Sequence, residues 1–401
     1  MARKKKITIA SAVCAAGLVA LLATPAQAFG ENGVSGFGPI TGANGRVPTT
    51  PVPEPSPQRD SDGDGLLDDW ESNGYDADGD GKVDVDLPAM GADPRHKDMF
   101  VETDYLPGML PSTAVYDKAV AMFAKAPVSN PDGRDGIVLH LDAGDAGGAK
   151  YDLGGGSEVH RTDPIDVVDD VEAARDDNSD PDRRGIFRYM WWADSYGDTD
   201  SSGQAYMSGD VFLVTMGPTH WANASDDAKM GTFVHELGHT LGLGHGGGDA
   251  WVNYKPNYLS VMNYTFQIDG LETADGKAFW DYSDRKLPSL DERALDERKG
   301  LGPDAADFAT YWITPSGYFK GSSGTADKPL DWNDDKSIGT AVEYDMSWDD
   351  EFQVLEGYDD WANISIPVEK AERAKPHVVS ELTASEAADL SKGRERAAHA
   401  H

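Results

Sequence analysis

Residues 235–245 read His-Glu-Leu-Gly-His-Thr-Leu-Gly-Leu-Gly-His, which sets three imidazoles, one carboxylate and one glycine at fixed offsets. His235 and His239 are four apart, so on a helix they lie one turn above each other and point the same way. Two neutral imidazoles presented like that can grip one zinc ion, at Zn–N distances of roughly 2.0–2.1 Å. Glu236 lies one step round the helix, near enough to reach a water on the metal without ligating the ion. Gly242 can take the left-handed conformation that ends a helix, and the chain can then swing back to deliver His245 as a third ligand. Three protein ligands leave a fourth position open, which marks a catalytic zinc rather than a structural one. The chemistry is hydrolysis. The ion acidifies a water and polarises a carbonyl, while Glu236 takes the water's proton and hands it to the leaving amine. No serine or cysteine nucleophile is required.

Seventeen residues beyond His245 the chain reads Ser260-Val261-Met262-Asn263-Tyr264. With this second element the sequence resembles the metzincin clan of zinc endopeptidases, whose extended zinc motif is followed by a methionine-containing turn beneath the metal. The resemblance implies that His235, His239 and His245 are the zinc ligands and Glu236 the general base. It makes Met262 the turn methionine and Tyr264 a tyrosine beside the zinc, whose hydroxyl can hold an oxyanion. Without the resemblance, Met262 reads as core filling and Tyr264 stays open between packing and function. The implied fold is α/β (α+β): a twisted mixed sheet with an active-site helix, preceded by a small calcium-binding repeat module.

The elements that must position these residues are partly legible. Residues 98–105 alternate enough to read as a strand, followed by a helix over 113–125 and a strand over 136–141. Residues 143–184 are rich in glycine and aspartate and read as a long irregular insertion. Further strands are expected at 186–192 and 210–216, with a short one at 203–207. The zinc helix should start at Ser225 or Asp226, ordinary capping residues, and stop at Gly242. Of Trp191 and Trp192, one is expected in the core and the other at the surface. His220 reads as a surface histidine.

An acidic module precedes the first strand. Asp60, Asp62, Asp64, Asp68 and Glu71 occupy positions 1, 3, 5, 9 and 12 of a twelve-residue calcium loop, with Gly65 at position 6 for the turn. A second start, with Asp76, Asp78, Asp80 and Asp84, follows sixteen residues later and lacks the closing glutamate, since its twelfth position is Leu87. The chain ahead is proline-rich, which disfavours a preceding helix. The pair therefore resembles tandem thrombospondin type-3 repeats more than EF-hands. Asp331-Trp332-Asn333-Asp334-Asp335 is a further calcium candidate, against the plainer reading of a solvated acidic loop.

Residues 1–28 combine Arg3, Lys4, Lys5 and Lys6 with an apolar run and the sequence Ala26-Gln27-Ala28, the pattern of a secretory signal peptide. The implied location is extracellular. Residues 29–58 read as a proline- and glycine-rich linker, with a short propeptide as the competing reading. Calcium repeats would occupy 59–93, the catalytic domain 94–370, and a frayed polar tail 371–401. Cys14 is the only cysteine, so the processed chain would have no disulfide and no thiol to block a zinc. The formal charge of −35 becomes −39 once the four basic residues of the signal segment are removed. Such a charge speaks against nucleic acid and anionic membranes as partners. The expected partner is a protein or peptide substrate, and the expected cofactors are Zn2+ and Ca2+. Two alternatives remain: an inactive calcium-dependent adhesion protein on the same fold, and a metallo-amidase acting on cell-wall peptides.

Overall fold

A computed structural model describes residues 59–368, except 162 and 323, and residues 378–399. The signal-peptide and linker readings lie outside these. Strands β1 (Asp98–Tyr105), β2 (Val138–Asp142), β3 (Phe187–Trp192), β4 (Gly203–Tyr206), β5 (Val211–Val214) and β6 (Val378–Ser380) form one sheet in the order β6-β4-β5-β3-β1-β2. The pairs β1/β2, β1/β3 and β3/β5 are parallel, whereas β4 runs antiparallel to β5 and β6 antiparallel to β4. The architecture is a mixed α/β one.

Helix α1 is Asp68–Asn73, α2 Thr113–Phe123, α3 Val168–Asn178, α4 Asp226–Thr240 and α5 Ala384–His399. On one face of the sheet, α2 and α4 bury Val115, Tyr116, Phe123, Phe233 and Leu237 with Val101, Leu139, Trp192 and Phe212. On the other, α3 buries Val168 and Val171 with Tyr189, Trp191, Val211 and Leu213. Helix α3 lies inside the stretch expected to be irregular. Its apolar positions are too sparse among aspartates to give a clear period, and the sheet supplies the rest of its burial. Covering both faces also corrects the tryptophans. Successive residues of a strand point to opposite faces, so Trp191 and Trp192 are both buried, in different cores. His220 is exposed, as expected.

The acidic module is not a separate body. Leu66, Val85 and Leu87 share a core with Phe100 and Phe187 of β1 and β3, and the described residues all belong to a single compact unit. The stretch expected as a frayed tail forms β6 and α5, with Leu382, Ala387 and Leu390 buried in the main core. No helix among the described residues is long and apolar enough to cross a membrane.

Candidate metal centre

Helix α4 carries the motif. Ser225 caps it by accepting from the Ala228 amide, and Asp226 and Asp227 place negative charge at its first turn. The helix is buried from Met230 to Thr240. It ends as the spacing predicts: Gly242 has φ of +90°, and the Leu243 amide donates to Gly238 O across the turn. The chain then reverses and brings His245 to the other two histidines.

Backbone carbonyls orient two of the rings. His235 Nδ1 lies 2.9 Å from Val261 O and His239 Nδ1 2.7 Å from Leu243 O, contacts in which Nδ1 donates, so Nε2 of each ring is the nitrogen turned toward the site. His235 Nε2 and His239 Nε2 face each other at 3.1 Å. Two nitrogens bound at roughly 2.0–2.1 Å by a tetrahedral ion would lie about 3.3 Å apart, so the spacing suits one shared cation. Burial holds the His245 imidazole down to about 4, against the pull of Glu381, which favours the neutral ring a metal requires.

Met262 is fully buried, and a β-carbon at Gly238 would overlap its sulfur, so the glycine lets the segment around Met262 press against the last turn of α4. Val261 supplies the carbonyl that orients His235. Asp360 steadies the turn by accepting from the Tyr258 and Ser260 hydroxyls and from the Ser283 amide. Tyr264 is buried with its ring centroid 4.4 Å from that of His245. Glu236 is buried on the cleft side of α4, and neither carboxylate oxygen has a hydrogen-bond partner among the described residues. Burial, and then the charge of Glu381, raise its pKa well above the carboxylate range.

Glu381 was not anticipated. It lies 146 residues from His235 in sequence, yet its Oε2 is 2.8 Å from His235 Nε2 and 3.2 Å from His245 Nε2, and its Oε1 is 3.0 Å from His239 Nε2. Burial opposes its ionisation, but the three imidazoles outweigh that and hold it well below the carboxylate range. His235, His239, His245 and Glu381 form one buried group able to hold a metal ion. No local pattern marks Glu381 as a ligand. The nearest signal is Thr383 with Glu386, a capping pair that announces the following helix.

In the acidic module, Asp60, Asp62 and Asp64 cluster, and Asp64 also groups with Glu71 and Asp98. Two expectations change. Asp68 turns away, because its carboxylate accepts from the Ser61 amide and hydroxyl at 2.8 Å. Asp98, the first residue of β1, takes a place beside Glu71 instead. Glu71 is 1% exposed with both carboxylate oxygens unpartnered among the described residues. Burial, then Asp64 and Asp62, push it up to about 9. In the second loop Asp76, Asp78 and Asp84 cluster at the surface, whereas Asp80 accepts from the Lys82 ammonium. At the third candidate Lys320 Nζ already sits 3.3 Å from Asp331 and 3.0 Å from Asp334, so that acidic loop has its cation built in.

No protein-family model matches the chain, and neither a curated protein nor a solved structure does.

Proposed function

We propose that the chain is a zinc-dependent endopeptidase of metzincin type, secreted, with calcium bound in its first acidic loop. The carrying observation is the convergence of three Nε2 atoms, two of them on rings oriented by carbonyls, beside a buried glutamate whose carboxylate has no hydrogen-bond partner among the described residues. A zinc ion bound there would supply Lewis-acid polarisation of the scissile carbonyl and of water. Glu236 accepts the proton from that water and returns it to the leaving amine, since nothing else engages its carboxylate. The Tyr264 hydroxyl serves as a donor to developing negative charge on the carbonyl oxygen. At the acidic loop, Glu71 and Asp98 join Asp62 and Asp64 as oxygen ligands, and the unpartnered Glu71 carboxylate favours a hard divalent cation.

The test is to incubate the full chain with casein and, separately, with cell-wall peptides, each with and without a zinc chelator. New peptide amino termini from casein, abolished by the chelator, are expected. Release from cell-wall material alone would favour the amidase reading. A second reading has one observation behind it: Glu381 fills the fourth position, as in a closed site that binds zinc without catalysis. A chain that keeps zinc and cleaves neither material after Glu381→Ala would favour that inactive form.

A further inference from the structure

Strand β6 lies where an extended peptide would have to lie. Without it, β4 is the open edge of the sheet, and β4 packs on α4, the helix that carries His235 and His239. β6 pairs with this edge antiparallel, Val378 opposite Tyr206, Val379 opposite Ala205 and Ser380 opposite Gln204. The pairing continues past the strand, because Ser202 N donates to Leu382 O and Thr383 bridges Ser201. This register sets Glu381 opposite Gly203. A β-carbon at Gly203 would overlap Glu236 Oε1, so the missing side chain leaves the proposed base room against the edge strand. Glu381 puts its carboxylate on all three Nε2 atoms.

We infer that residues 378–381 are an intramolecular occupant of the substrate cleft, which keeps the site latent until they leave; this rests on the peptidase reading above. Two features conflict if Glu381 is a permanent ligand. The closed coordination leaves no position for water, and Glu236 stays buried and unpartnered beside it, a cost with no return. Both are resolved if the Glu381 carboxylate stands in for a substrate oxygen. The element behind the strand is built to stay. In α5 Arg394 donates to Thr265 O at 2.6 Å and Gly270 O at 2.8 Å, and its guanidinium covers the rings of Phe266 and Tyr311. Ser385 bonds Asp200, and Ser391 bonds Asp269. Residues 378–381 can therefore peel from β4 while Leu382, buried in the main core, and α5 remain docked.

Three zinc-loaded full-length forms test this: the native chain, Glu381→Ala, and Ser380→Pro, which removes an amide donor from the strand. For each, zinc content, affinity for a peptide hydroxamate, casein hydrolysis and amide hydrogen exchange over 203–206 are measured. Both variants should retain zinc, bind the hydroxamate at least tenfold more tightly, cleave casein faster, and exchange faster at 203–206 until the hydroxamate is added. Unchanged hydroxamate affinity and exchange in both variants would overturn the inference. So would zinc loss in Glu381→Ala, which would make Glu381 an integral ligand. Faster exchange with zinc retained, but no casein cleavage in any form, would keep the strand as a removable cover and remove the peptidase reading instead.

Discussion

Glu236 and Tyr264 make separable predictions because they stand in different relations to the histidines. Glu236 touches no histidine nitrogen, so Glu236→Ala should keep zinc while lowering peptide hydrolysis by about 10²–10⁴-fold. Zinc content and rate measured on one preparation check this; full activity would remove Glu236 as the base. Tyr264 packs on His245. If its hydroxyl holds developing negative charge, Tyr264→Phe should lower kcat by roughly ten- to a thousandfold with KM nearly unchanged. An unaltered kcat would return Tyr264 to packing alone. The three histidines and Glu236 were legible in the sequence because their relation is local: the four-residue spacing is the helix period and Gly242 is the stop, whereas Tyr264 entered only through the resemblance. Glu381 carries no such signal, since only the folded sheet edge brings it to His235.

Elements were legible where the apolar pattern was strong. Strand β1 and helix α4 fall where the periodicity and caps set them, and β3, β4 and β5 within two residues of their expected ends. Helix α3 was not legible, because its buried residues Val168, Val171 and Arg175 are too few among acids and owe their burial to the sheet. The fit of β4 against α4 depends on one glycine. Gly203→Ala would drive a methyl into Glu236 and to 2.6 Å from Leu213 O. Overpacking of this kind costs about 1–3 kcal/mol, so a lower melting temperature is expected together with loss of activity. An unchanged melting temperature would mean that the cleft is wider than the structure has it.

At the scale of the whole molecule, the acidic loop and the sheet meet at Asp98. Calcium bound there would tie the loop to the start of β1, and at a hundred times its dissociation constant it would stabilise the fold by about 2.7 kcal/mol. Glu71→Gln and Asp98→Asn should each remove most of the calcium-induced rise in melting temperature, and Asp68→Asn should leave it. The reverse order would restore the loop as the sequence alone suggests it. Asp98 carries no signal in the sequence because it lies outside the twelve-residue repeat and meets the loop only in the fold, through its amide's bond to Asp64 and the packing of Leu66 and Val85 on Phe100. The central claim concerns one metal and one reaction. It is tested most directly by titrating zinc into metal-free Glu381→Ala protein and following the rate of hydrolysis of a short peptide. The rate should climb from nothing, reach its plateau at one zinc per chain, and fall back on chelation. A rate indifferent to zinc, or a fully loaded chain that leaves the peptide intact, would contradict it.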